Sequence, residues 1–184
     1  TMTNAHPHNA AALLRQIDEA VDLGCDIVRL AVPDAQAAKV LKQVRMKSRV
    51  PLVADIHFDY RLALASLEAG ADGLRINPGN IGGPERIKAV VAAARSRNVP
   101  IRIGVNGGSL EKDILAKHGS ATAEALVESA LRHVTLLEAE DYREIKISVK
   151  ASNVTRTLEA YRLLSERTVY PLHLGVTEAG TFIP

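Results

Sequence analysis

The sequence predicts an α/β fold built on parallel strands, of the (β/α)8 barrel type and incomplete, with about six strand–helix units. Three observations carry this. Short β-rich runs alternate with helical segments along the whole chain, which implies right-handed crossovers and a parallel sheet. Polar and apolar residues separate by parity within each strand. Glycine-rich turns recur just after the strands, at the rim where (β/α)8 barrels keep their chemistry.

The strands are expected at 27–32, 51–57, 73–77, 100–106, 144–150 and 171–177. Helices are expected at 9–23, 34–46, 59–70, 84–98, 121–139 and 153–168. Pro84 stands where a helix begins, and Gly24 and Gly70 where helices end. The longest stretch without a period is 107–120.

A parallel strand covered on both faces reads as continuous apolar sequence. These strands do not. Val28, Leu30, Val32, Leu52, Ala54, Ile56, Leu74, Ile76, Ile101, Ile103, Val105, Ile145, Ile147, Val149, Leu172, Leu174 and Val176 share one parity and should lie under the helices. The other parity carries Arg29, Asp55, His57, Arg75, Asn77, Arg102, Gly104, Asn106, Lys146, Ser148, Lys150, His173, Gly175 and Thr177. If the sheet closes, this face is the barrel interior; an open sheet with one wet face is the other reading. Five cations on it stand against one carboxylate, Asp55. Buried cations need counter-charge, and a multivalent anion supplies it. The arginine fork suits phosphate oxygens best.

Composition sets the limits. The chain has 184 residues, 47% of them apolar and 24% charged, with a net charge of +2. Disorder is excluded, and neither nucleic acid nor an anionic membrane is expected as a partner. No apolar run reaches the ~20 residues of a membrane span. A single cysteine, Cys25, excludes an internal disulfide and any all-cysteine metal site built from this chain alone. The first and last residues read as the cut ends of a longer protein.

Some residues admit two readings. Asp55 and His57 lie two apart and face the same way, as a carboxylate that orients an imidazole or as part of a structural Asp–Arg pair. Glu178 sits one past Thr177 at the rim, either as an acid, base or ligand or as a solvated side chain. Lys150 is favoured over Lys146, which could snorkel to water from the strand entrance. Cys25 is expected as a small buried group. His118 and His133 show no patterned polar neighbours, and His6 and His8 follow the expected end of a missing strand.

Several strings are long enough to be specific. Thr1-Met2-Thr3-Asn4, Asp26-Ile27-Val28-Arg29, Val53-Ala54-Asp55-Ile56-His57-Phe58, Leu74-Arg75-Ile76-Asn77-Pro78-Gly79-Asn80-Ile81-Gly82, Ile103-Gly104-Val105-Asn106-Gly107-Gly108-Ser109-Leu110 and Gly175-Val176-Thr177-Glu178-Ala179-Gly180 resemble the bacterial 4-hydroxy-3-methylbut-2-enyl diphosphate synthase family. The resemblance runs over essentially the whole chain. It implies a TIM-barrel domain over 1–184 that lacks the first and eighth strands, and a separate iron–sulfur domain outside this chain. It implies reductive ring opening of 2-C-methylerythritol 2,4-cyclodiphosphate in isoprenoid biosynthesis. A [4Fe–4S] cluster on three cysteines and a glutamate is implied for the full-length enzyme, with flavodoxin or ferredoxin as electron donor, a homodimer and a cytoplasmic location. The fragment alone is expected to be inactive. The resemblance assigns Arg29, Arg75, Asn77, Arg102, Asn106, Lys150 and Thr177 to substrate, and Glu178, Asp55 and His57 to catalysis. The alternative is a non-redox barrel enzyme for a phosphosugar or pterin, a synthase or a Schiff-base aldolase using Lys150 or Lys146.

Overall fold

The computed structural model describes residues 1–175. The chain forms two compact units, Thr1–Ile101 and the part from Arg102 onward, which are described in turn.

In the first unit, α1 (Ala10–Asp22), β1 (Val28–Ala31), α2 (Ala35–Arg45), β2 (Leu52–Asp55), α3 (Tyr60–Glu68), β3 (Gly73–Ile76), α4 (Pro78–Ile81) and α5 (Pro84–Arg95) follow one another. Helix starts are set by side-chain caps. Asn9 accepts from the Ala12 N–H, Asp34 from Ala37, Asp59 from Arg61 and Asn77 from Gly79. Such caps satisfy amides that a helix leaves without partners. Gly24 and Gly70 adopt positive φ just past α1 and α3, as their positions require, and Asn98 does the same past α5. Strands β1 and β2 pair in parallel with Arg29 beside Val53 and Ala31 beside Asp55. Strands β2 and β3 pair with Val53 beside Gly73 and Asp55 beside Arg75. Residues 1–3 add parallel pairing to β1: the Arg29 N–H donates to the Thr1 carbonyl and the Thr3 N–H to the Arg29 carbonyl.

The second unit holds β4 (Ile101–Asn106) after its first residue, a 3-10 turn at Gly107–Ser109, α6 (Lys112–His118), α7 (Ala123–Glu138), β5 (Ile145–Lys150) and α8 (Val154–Arg167). Thr122 and Asn153 cap α7 and α8. The stretch 107–120, which shows no period in sequence, contains α6: with seven residues and Ile114 as its only buried side chain, it is too short to repeat a pattern. The sixth expected strand reduces to one parallel bridge, Ile147 to Leu172, within the described residues.

The parity reading holds in both units. Val28, Leu30, Leu52, Ala54, Ile56, Leu74 and Ile76 are buried in the first, and Ile103, Val105, Ile145, Ile147 and Val149 in the second. Leu174 departs from it at 70% exposed. Cys25 is half-buried, not buried as expected. Among the described residues, no helix is long and apolar enough to cross a membrane.

Candidate functional site

The register of β1, β2 and β3 brings three of the expected site residues together. Because paired residues in a parallel sheet share a face, Asp55 and Arg75 point the same way from adjacent strands. Arg75 Nη1 donates to Asp55 Oδ1 at 3.1 Å, and Arg29 Nε lies 3.4 Å from Asp55 Oδ2. The Asp55 and Arg75 side chains are buried, and that of Arg29 is 30% exposed. Burial lowers the pKa of Arg29, the Asp55 charge offsets part of that, and the Arg75 charge adds to it. Arg29 also directs Nε and Nη2 at the Met2 sulfur, at 3.2 and 3.0 Å. One row below Asp55 and Arg75, Arg29 is level with Val53 and Gly73, and an added Cβ on Gly73 would sit 3.1 Å from a Val53 methyl.

His57 follows β2 at the rim, half-exposed, with Nε2 3.6 Å from Asp55 Oδ2. That is too long for a hydrogen bond. The bonded partner of Asp55 is Arg75, and His57 lies near it without a hydrogen bond. Phe58 is exposed beside His57, the rings 6.0 Å apart and edge-on. Asn77 is buried at the end of β3, and its Oδ1 is occupied as the cap of α4. In the Asp55–Arg29–Arg75 group two guanidiniums stand against one carboxylate.

In the second unit, Arg102, Asn106 and Lys150 are half-buried on β4 and β5, whereas Lys146 is exposed, as a lysine at the strand entrance would be. Gly107 lies against the end of β5, where an added Cβ would be 3.6 Å from the Lys150 carbonyl oxygen and 3.8 Å from Ala151 Cα. Thr177 and Glu178 lie outside the described residues.

Several polar clusters were not legible as sites. His8 Nε2 meets both carboxylate oxygens of Asp34, at 2.9 and 2.8 Å. His118 and His133 both have partners: His118 Nε2 is 2.8 Å from Glu128, and His133 Nε2 is 2.9 Å from Glu111. For His133 there was a usable signal. Ser129 and His133 lie one turn apart on the apolar face of α7, where two polar residues need a shared partner.

The whole chain, residues 1–184, matches the family model described as GcpE TIM-barrel domain. A 4-hydroxy-3-methylbut-2-en-1-yl diphosphate synthase (flavodoxin) of Maridesulfovibrio salexigens is 58% identical over 183 residues, which is 100% of this chain and 51% of that protein. The protein of the same name from Geobacter sulfurreducens is 59% identical over 181 residues, 98% of this chain and 51% of its own length. The chain thus spans about half the length of the curated relatives it matches. Among solved structures, a dihydropteroate synthase of Yersinia pestis superposes with a TM-score of 0.64 at 14% identity, covering 89% of this chain and 65% of that one. A putative phosphonomutase of Burkholderia cenocepacia gives 0.61 at 18% identity, covering 86% and 72%. These distant likenesses show the barrel-type fold and nothing about chemistry. The strand–helix order, the parity of the strands and the match along its full length agree: the chain belongs to the GcpE TIM-barrel domain family.

Proposed function

We propose that this chain is the substrate-binding barrel portion of an enzyme that reductively opens 2-C-methylerythritol 2,4-cyclodiphosphate to 4-hydroxy-3-methylbut-2-enyl diphosphate, with electrons from flavodoxin or ferredoxin. The names of its relatives support the reaction and the flavodoxin donor. The observation that carries the reading is the Arg29–Asp55–Arg75 group. Its two guanidiniums share one carboxylate, two cations against one anion on adjacent strands. A diphosphate supplies that counter-charge in a geometry the arginine fork favours.

Arg29 and Arg75 hold the diphosphate, and Asp55 holds the guanidiniums in place. His57, with Asp55 behind it, faces the ring and its hydroxyls and can hold or pass a proton there. The family resemblance also assigns Asn77, Arg102, Asn106, Lys150 and Thr177 to substrate. Glu178 is the candidate acid for loss of the hydroxyl.

The family resemblance calls for a [4Fe–4S] cluster on three cysteines and a glutamate. The residues present do not fit it. The sequence has one cysteine, Cys25, whose thiol donates to the Ile27 carbonyl at 3.1 Å. Among the described residues, no three His, Cys, Asp or Glu side chains are grouped to hold a metal. The chain's own part is orientation of the substrate and neutralisation of its charge. A homodimer and a cytoplasmic location complete the reading for the full-length enzyme.

Titration calorimetry with the cyclic diphosphate tests it. Binding is expected, and Arg75→Ala should weaken it by ~1.5–3 kcal/mol, the worth of a charged hydrogen-bond partner. Unchanged affinity in that variant would remove the arginines from the site.

A further inference from the structure

His133 is a buried titratable group that the reaction proposed above does not use. It is 2% exposed, on the face of α7 turned to the core. Its partner is Glu111, the residue that opens α6. That position favours a short side chain that caps the helix, yet Glu111 makes no cap bond. Its carboxylate reaches α7 instead. Oε1 lies 2.9 Å from His133 Nε2, and Oε2 accepts from the Ser129 hydroxyl at 2.7 Å. The serine bonds to the carboxylate rather than to the imidazole, so the trio is no nucleophile relay.

Its place in the chain gives it a mechanical role. Asn106 ends β4, and residues 107–109 turn away from it, with the Ser109 hydroxyl donating to the Asn106 carbonyl at 3.3 Å. Gly108 and Ser109 are exposed. The turn is fixed upstream by β4 and downstream by the buried Leu110 and by Glu111. Helix α6 adds little apolar anchoring, since Ile114 is its only buried residue. The rest of its seam with α7 is ionic and solvent-facing: Asp113 to Arg132 at 2.8 Å, and Lys117 and His118 to Glu128 at 2.7 and 2.8 Å. Exposed pairs of this kind contribute little each. The Ser129 bond to Glu111, with His133 in close polar contact, is the stronger hold.

We propose that Glu111, gripped by Ser129 and His133, is a positioning residue that fixes the Asn106–Ser109 turn beside the end of β5 for substrate binding. The inference rests on the reading of Asn106 and Lys150 as substrate contacts. It also makes binding sensitive to acid. His133 Nδ1 and Glu111 Oε1 are both buried without a hydrogen-bond partner, so His133 Nε2 faces Oε1 at 2.9 Å as a close polar contact, and a second proton on the ring would be buried on Nδ1 with no acceptor. Burial lowers the His133 pKa, Glu111 opposes this, and Arg132 on its own helix reinforces it. Asp113, Lys117, His118 and Glu128 are the other charged groups along the seam. A lowered histidine pKa leaves the grip whole above about pH 6.5, the ordinary histidine value, and weakens it as pH falls from there through the folded value.

The test uses the full-length enzyme and two readouts: backbone amide exchange over residues 107–118, and KM and kcat for the cyclic diphosphate. Glu111→Ala should speed exchange there on the order of tenfold and raise KM by a similar factor, with kcat nearly unchanged. His133→Gln keeps a donor to Glu111 without titrating. It should preserve slow exchange and abolish the rise in KM that the wild type shows below about pH 6.5. Should Glu111→Ala fail to fold, Glu111→Gln is read in the same two ways. Unchanged exchange in the Glu111 variant overturns the grip. Faster exchange with unchanged KM overturns the positioning role, and so does a fall in kcat that matches the rise in KM. Wild-type enzyme that exchanges slowly but binds no cyclic diphosphate overturns the function reading instead, and the two failures are distinguishable.

Discussion

Replacing Asp55 by asparagine should lower stability and raise anion affinity at the same time. In the folded chain the carboxylate sits between Arg75 at 3.1 Å and Arg29 at 3.4 Å, with its side chain 4% exposed. At an effective dielectric near 20, unit charges about 4 Å apart attract by about 4 kcal/mol. Desolvation cancels part of this, but removing one member of a buried pair strands the others and costs about 3–5 kcal/mol. Arg29 is partly solvated and the asparagine oxygen still accepts a bond, so the lower end applies, about 3 kcal/mol. For a protein of this size that is a fall in Tm of about 6–12 °C. The effect on binding has the opposite sign. The group loses its one carboxylate while both guanidiniums stay, so the charge that repels a bound anion is gone. That is worth about 1–3 kcal/mol, on the order of tenfold tighter binding of inorganic pyrophosphate, and less at high salt. Thermal melts and titration calorimetry with pyrophosphate, both on the intact protein, read the two effects. If stability and affinity fall together, Asp55 serves to aim the guanidiniums more than to neutralise them. If neither moves, the group is not an anion site.

Two further outcomes follow from local geometry. Gly82 has φ +115°, and a Cβ there would lie 2.5 Å from Arg86 Cδ, so Gly82→Ala should cost about 1–3 kcal/mol, visible as a lower Tm. Glu128 accepts from Lys117 and His118, and these bonds bring its pKa from 4.5 to about 2. A depressed carboxylate stabilises above its unfolded pKa and is lost as pH falls through the folded one. Wild type should therefore exceed Glu128→Gln in denaturation midpoint above pH 4.5, the gap closing as pH falls toward 2. A gap that persists below pH 2 would place the effect of Glu128 in packing rather than charge.

How much of this was legible in the sequence depends on whether an interaction is periodic. The faces of β1 to β5 were, because alternation in a strand places Asp55 and Arg75 on one side whatever their partners are. Register brought them into contact, and the register of β2 on β3 follows from the buried rows Leu52, Ala54, Leu74 and Ile76. The ends of α1 and α3 were legible from Gly24 and Gly70, because a positive φ leaves a residue signature. Helix α6 was not. Its docking is electrostatic, and a charge pair across two helices has no spacing in the sequence to betray it. Glu111 and His133 are 22 positions apart, and neither flank marks the other. What the sequence did hold was half of that contact: two polar side chains a turn apart on an otherwise apolar helix face. A buried hydroxyl or imidazole left unmet costs about 1–3 kcal/mol, and here the acceptor comes from Glu111, in the stretch without a period that precedes the helix. The same reasoning explains why Leu174 escapes its parity. A strand's apolar face is buried only where a neighbouring strand and a helix cover it, and beyond the single bridge at Leu172 the described residues supply neither.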